Sequence, residues 1–248
     1  MKGVREMPAT CQTAEHFLER AVGARSAVSR ARYARQGLAS RAPIDRVTQS
    51  MLLRQLYLAH FEQQQFERAA EIGQQMLSLR VMPDVCHHDL ARVMVLLDDI
   101  DGAVGQLRLA ARTAPARRRA FHLWTLGSVL YLAGRLDLAQ GALVRALRWS
   151  TTDRPLVAAQ LALVRLARSE SISDLQQVIE QLQAAPCGQG YGRFVLGMLC
   201  VHAERLQEAA RHLRDFVQRT RASRPAVAIA LEAELRLAES RLSELHVN

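Results

Sequence analysis

Aromatic residues and lysine are scarce in this sequence, and long apolar runs are missing from it. Only 5% of its 248 residues are aromatic, and Lys2 is the single lysine among 33 basic residues. Arginine in place of lysine is typical of a GC-rich bacterial genome. No apolar run approaches the roughly 20 residues that span a bilayer, and no apolar signal segment follows Lys2. We therefore expect a soluble bacterial protein of the cytoplasm that does not insert into a membrane.

Motifs for metals, cofactors and catalysis are also lacking. The four cysteines, none in a Cys-x-x-Cys pair, are Cys11, Cys86, Cys187 and Cys200. This spacing excludes the common zinc and redox motifs and favours reduced thiols. In the run 86–89, Cys-His-His-Asp, successive helical side chains point about 100° apart and do not converge on an ion. No nucleophile, base and orienting group come together. We expect no metal, no cofactor and no enzymatic activity.

Positive charge is concentrated in two segments of the chain. Residues 1–50 hold nine basic and four acidic side chains, a net +5, and residues 101–150 hold eight and two, a net +6. Arg-rich residues 13–46 and 108–119 could track the phosphates of a nucleic acid. An arginine surface in contact with water is the simpler interpretation. The sequence therefore favours a protein partner over nucleic acid.

An internal repeat with a period near 34 residues runs through most of the chain. In the second half of each copy, a small or apolar anchor residue at position i is accompanied by further small or apolar residues at i−3, i+4 and i+7. The anchors, at intervals of 34, 36, 36 and 34 residues, are Ala69, Ala103, Ala139, Leu175 and Ala209. The clearest first half is Leu123-x-x-Leu126-Gly127-x-x-Leu130. Such spacing forms one apolar stripe on a helix, so each copy predicts a helix–turn–helix hairpin that must stack on its neighbours.

These copies resemble the tetratricopeptide repeat (TPR), a helix–turn–helix unit of 34 residues. The resemblance covers residues 50–221 and implies an all-α fold, an α-solenoid of about five TPR units. We predict the units at residues 50–83, 84–119, 120–155, 156–189 and 190–221. Residues 1–12 are predicted to be a disordered N-terminus, and residues 222–248 a solvating helix that caps the C-terminal end. Residues 13–49 are interpreted as an N-terminal helical cap or a degenerate repeat, with a basic arm for a partner as the alternative.

The resemblance further implies that the first helices of the units line a shared groove. We expect fourteen side chains there: Met51, Arg54, Leu58, Phe61, His88, Arg92, Phe121, Trp124, Tyr131, Leu161, Val164, Tyr191, Phe194 and Met198. Many of them are apolar, and an exposed apolar surface of this size marks an interaction site. The alternative is that the chain fills the groove itself, with its N-terminal or C-terminal helix, or that a homodimer contact covers it.

The sequence thus predicts a non-enzymatic scaffold, adaptor or chaperone. Its groove would bind an apolar or amphipathic peptide or helix of another protein. Two other functions stay open: a regulatory nucleic-acid-binding protein that uses the Arg-rich segments, and a sensor of a peptide signal that uses the same groove.

Overall fold

Helices are the only regular secondary structure in residues 13–247, the part of the chain that the computed structural model describes. The fourteen α-helices of this part are α1 Ala14–Val22, α2 Ala27–Leu38, α3 Arg46–Glu62, α4 Phe66–Ser78, α5 Pro83–Leu96, α6 Ile100–Thr113, α7 Ala116–Leu132, α8 Leu136–Trp149, α9 Arg154–Ala167, α10 Leu175–Ala184, α11 Tyr191–His202, α12 Leu206–Arg221, α13 Pro225–Ala230 and α14 Glu232–Val247. The all-α prediction is confirmed. Within the same residues, no helix is both long enough and apolar enough to cross a membrane. Residues 1–12, predicted to be disordered, lie outside the described part, and so does Cys11.

The same turn joins the two helices of every predicted repeat. One residue of each turn has a left-handed backbone with positive φ: Gln64, Asp98, Gly134, Ser169 and Glu204. The amide of the next residue then donates to a carbonyl five residues earlier, as from Arg135 N to Leu130 O at 2.9 Å. This is the Schellman arrangement that closes a helix C-terminus. Only the third repeat uses the glycine that this backbone favours.

Most helix limits follow the sequence pattern, and a capping residue accounts for the largest shift, at the start of α3. The apolar pattern predicts helices over residues 100–113 and 136–149, and α6 and α8 begin and end at those residues. Helix α3 begins at Arg46 instead of the predicted residue 50, because the Asp45 carboxylate caps it. Its Oδ1 accepts hydrogen bonds from the amides of Val47 and Thr48 at 2.8 and 3.1 Å, a strong N-terminal cap.

The chain divides into two compact bodies, one ending at Val81 and the other beginning at Met82. In the N-terminal body, the segment interpreted as a cap or degenerate repeat is the helical hairpin α1–α2, which packs on α3. A Cβ atom on Gly37 would lie 2.6 Å from Leu52 Cδ2, so α2 and α3 approach as closely as glycine permits. Small residues of α1 and α2 fill the interface with Leu56.

The C-terminal body contains α5 to α14, with the helices of each repeat packed in pairs. A Cβ atom on Gly127 would lie 2.6 Å from Leu143 Cγ, so α7 and α8 approach as closely as glycine permits. The same distance separates a Cβ on Gly197 from Leu213 Cγ, between α11 and α12. One apolar cluster is centred on α7 and α8, and another joins α9 to α12 with Leu235 of α14.

The C-terminal segment forms two helices, so the prediction of one capping helix within residues 222–248 is wrong at Leu231. Its backbone, at φ −111° and ψ 22°, leaves the helical region and separates α13 from α14. The Leu231 amide donates to both Val227 O and Ala228 O, at 3.1 and 3.2 Å. This tightens the last turn of α13, which ends there without a proline or glycine at the break.

Candidate functional site

The fourteen side chains predicted to line the groove differ widely in exposure. Four are buried, namely Phe61, Val164, Phe194 and Met198, and Phe121 is exposed. The other nine are half-buried: Met51, Arg54, Leu58, His88, Arg92, Trp124, Tyr131, Leu161 and Tyr191. An apolar surface open to water over all these positions was expected, and that expectation needs correction.

In the N-terminal body, Phe61 belongs to the core. Its side chain is fully buried, and its ring lies 5.9 Å from that of Tyr57 and 6.0 Å from that of Phe66 on the second helix of the repeat. The aromatic ring is therefore used to hold α3 against α4. Met51, Arg54 and Leu58, on the same helix, remain half-buried.

In the C-terminal body, the predicted aromatic residues form a continuous row of ring contacts. The Phe121 ring centroid lies 6.0 Å from that of Trp124, which lies 4.9 Å from that of Tyr191 in an edge-to-face contact. Tyr191 continues the row to Phe194 at 5.6 Å. Edge-to-face pairs of this kind stabilise packing beyond the area that they bury. The row thus connects α7 directly to α11.

The C-terminal segment of the chain covers this row. Arg92 on α5 donates from Nη2 to Ala226 O of α13 at 3.3 Å. Tyr191 on α11 donates from its hydroxyl to Glu234 Oε1 of α14 at 3.3 Å. Leu235 of α14 is buried in the same apolar cluster as Phe194. In the C-terminal body, residues 225–247 thus lie against part of the predicted groove, as the self-filling alternative expects.

A polar pocket lies inside this covered surface, around Tyr191. Gln160 Nε2 donates to Ser128 Oγ at 2.9 Å, and Ser128 also contacts the Tyr191 hydroxyl. Within residues 13–247, Gln160 Oε1 and Trp124 Nε1 are buried without a hydrogen-bond partner. Burial raises the pKa of the Glu234 carboxyl to about 7, and burial also raises the pKa of Tyr191. The pocket therefore holds a carboxyl group that is half protonated near neutral pH.

Phe121 remains exposed at one end of the row. Its side chain is 47% exposed, and its ring centroid lies 4.9 Å from that of His88 on α5. Among the predicted groove residues, this pair presents aromatic surface that the C-terminal segment leaves uncovered.

The sequence reasoning missed a buried ionic network at the start of α5. Both oxygens of Asp84 accept hydrogen bonds from Arg118, at 2.6 and 2.9 Å, and His122 Nε2 lies 3.2 Å from Oδ2. Burial opposes ionisation of Asp84, but the bonds from Arg118 and His122 outweigh it and lower the pKa of the carboxyl. Burial lowers the pKa of His122. The position of the two residues was a signal, since Asp84 is the first residue of one predicted unit and Arg118 lies two residues before the next, which places each in the first turn of a first helix.

A second missed cluster, Cys200, Glu208 and His212, has ligand atoms that all lie within 4.8 Å of one another. The polar side chains that contact this cluster are basic or neutral. Arg205 pairs with Glu208 at 2.7 Å, and Arg193 Nη1 lies 3.0 Å from His212 Nδ1. Burial raises the pKa of the Cys200 thiol. Two guanidinium groups thus occupy the surroundings in which a cation would have to bind.

No family model matches the sequence, and no curated protein matches it. Solved structures do match the fold. A tetratricopeptide repeat protein from Parabacteroides merdae is 13% identical with a TM-score of 0.60, over 95% of this chain and 99% of that chain. Cut9, in the APC/C hetero-tetramer Cut9–Hcn1, is 15% identical with a TM-score of 0.58, over 94% of this chain. PilF of Pseudomonas aeruginosa is 18% identical with a TM-score of 0.52, over 82% of this chain and 90% of that chain.

These similarities are similarities of fold. The chain spans about half of Cut9, 48% of its length, and every identity is far below the level at which function follows from ancestry. The matches confirm the resemblance drawn from the repeats: the protein is TPR-like, an all-α solenoid of helix–turn–helix units.

Proposed function

We propose that the protein is a non-enzymatic protein-binding scaffold whose C-terminal body takes an amphipathic helix of a partner against α11 and α12. The observation that carries this proposal is that these helices already hold an amphipathic helix, the chain's own α14. Leu235 and Ala238 are buried on one side of α14, and Arg236 and Ser240 are exposed on the other. A surface that accepts one helix by its apolar face has the chemistry to accept another.

The partner would replace α14 in this arrangement. The exposed Phe121 ring beside His88 gives it a first contact next to the covered row. Because α14 competes for the same surface, the apparent affinity for a partner is lowered by the fraction of molecules in which α14 is docked. The C-terminal segment therefore sets the concentration of partner that is needed for binding.

The polar pocket favours an adaptor over a chaperone of broad specificity. Gln160, Ser128 and Tyr191 sit at a fixed place among apolar residues, and burying them against a purely apolar helix would leave them unsatisfied. Such a mismatch costs binding free energy and discriminates between occupants. The groove would thus select a helix that carries a polar group in register with the pocket.

The test uses the full chain and a labelled peptide of residues 225–247. Substituting Leu235→Arg and Ala238→Arg places two charges on the buried side of α14 and should release it. The control substitutes Ala233→Arg and Ser240→Arg, which are exposed on the same helix and add the same charge. Fluorescence anisotropy should show saturable peptide binding by the released variant and little by the control or the unmodified chain.

Circular dichroism checks whether both variants keep their helices. A released variant that stays helical and still fails to bind the peptide would contradict the proposal. Equal binding by the control variant would show attraction by added charge alone, and would contradict it as well.

A further inference from the structure

A pocket of about 490 Å³ lies between α6, α7 and α8 of the C-terminal body. Five arginines line it: Arg108 and Arg112 from α6, Arg119 from α7, and Arg145 and Arg148 from α8, with Trp149 beside them. The rest of its lining is apolar. Among the residues described, no acidic side chain lines the pocket. It shares no residue with the groove that α14 covers.

Within residues 13–247, none of the five pocket arginines has a carboxylate partner. Elsewhere, arginines pair across the repeats: Arg118 with Asp84 at 2.6 Å and Arg168 with Asp137 at 2.9 Å. Close guanidinium groups without counter-charges repel one another. An anion bound among them would remove that repulsion, and the planar arginine fork suits bidentate bonds to phosphate oxygens.

Trp149 gives the pocket an aromatic surface. Its side chain is 41% exposed, and the guanidinium carbon of Arg119 lies 4.4 Å from the ring centroid. Arg119 also donates from Nη2 to Ala114 O at 3.0 Å. This hydrogen bond holds the guanidinium group in place against the Trp149 indole. An exposed indole fixed in this way can stack with a planar ring, as aromatic residues do in sites that bind nucleic-acid bases.

We propose that this pocket binds a nucleotide with two or more phosphate groups. The phosphates would lie among Arg108, Arg112, Arg145 and Arg148, and the base would lie against Trp149. The pocket volume falls in the range of small-ligand sites. A longer nucleic acid or an acidic peptide would extend well beyond a pocket of this size, whereas a nucleotide brings phosphates and a planar ring within its reach.

The test measures binding of ATP, ADP, pyrophosphate and a 12-nucleotide single-stranded DNA to the full chain by calorimetry at low salt. A Trp124→Phe background leaves Trp149 as the single tryptophan, and its fluorescence should change on addition of ATP. Arg112→Glu with Arg148→Glu should lower ATP affinity by about tenfold or more, because charge-assisted hydrogen bonds are lost. Trp149→Leu should weaken ATP binding and leave pyrophosphate binding unchanged.

The matched control is Arg211→Glu with Arg219→Glu, two exposed positions on α12 with the same charge change, which should keep ATP affinity. Each variant is checked for helicity, and Arg112→Gln with Arg148→Gln replaces the glutamate pair if that pair does not fold. Three results would overturn the proposal: no binding of ATP or pyrophosphate at millimolar concentration, an equal loss in the α12 control, or binding of the DNA without binding of the nucleotides.

Discussion

At the scale of single residues, Glu234 makes the stability of the C-terminal body depend on pH. Its side chain is 6% exposed, and burial raises the pKa of its carboxyl from 4.5 to about 7. Between these two values the folded protein holds a proton that the unfolded chain has released. The free energy of unfolding therefore falls as pH rises through this window and stays lower above it.

We expect Glu234→Gln to remove this dependence, because glutamine keeps a hydrogen-bonding group without a charge. Above pH 7 the variant should be more stable than the unmodified chain by up to about 3 kcal/mol, and near pH 4.5 the two should be similar. Urea unfolding at pH 4.5, 6 and 8 measures this difference. Glu232→Gln, on the half-exposed start of the same helix, is the control, and a pH profile left unchanged by Glu234→Gln would contradict the role assigned to burial.

A second residue-scale prediction concerns the left-handed turn position of the fourth repeat. Ser169 has φ 62°, and Gly134, with φ 70°, holds the matching position in the third repeat. A side chain in this conformation is strained, and glycine is not. Ser169→Gly should raise the free energy of unfolding by about 0.5–1 kcal/mol. Thermal unfolding measures it, with Gly134→Ala expected to shift stability in the opposite direction.

At the scale of helices, close packing determines whether replacing a glycine with alanine stabilises or destabilises the protein. Gly197 lies within α11, and a Cβ there would meet Leu213 Cγ at 2.6 Å. Gly197→Ala should therefore destabilise by about 1–3 kcal/mol through overpacking, although alanine is the better helix former. Gly141 in α8 has nothing within 4 Å of a built Cβ, and Gly141→Ala should stabilise by about 1 kcal/mol. If chemical denaturation gave both variants the same sign, the packing argument would fail.

The limits of a helix could be predicted from the sequence where the apolar stripe begins and ends next to turn residues. The limits of α6 and α8 were predicted to the residue because each lies between a turn residue and a proline or serine stop. The break at Leu231 could not be predicted, because no glycine or proline marks it. The early start of α3 depends on the Asp45 cap, which the apolar period does not include.

At the scale of the whole chain, the 34-residue repeat period does not determine whether the groove residues are exposed or covered. The TPR resemblance placed Trp124, Tyr191 and Phe194 on one groove surface, and in the structure their rings are in contact. It could not tell whether water, a partner or the chain itself covers them. That outcome depends on Leu235 and Glu234, more than 30 residues further along the sequence, and on the free energy of docking α14.

Release of α14 should therefore change how the molecule associates. In the chain as it stands, the row from Trp124 to Phe194 is covered by its own helix. In the variant with Leu235→Arg and Ala238→Arg this apolar surface becomes accessible, and exposed surfaces of this kind drive association. We expect the variant to bind the dye ANS and to form dimers or larger species as concentration rises, measured by light scattering after size exclusion.

The variant with Ala233→Arg and Ser240→Arg should do neither, since its substitutions lie on the exposed side of α14. A released variant that stays monomeric and binds no ANS would mean that the row is protected without α14, and that packing among α7, α9 and α11 is sufficient to bury it.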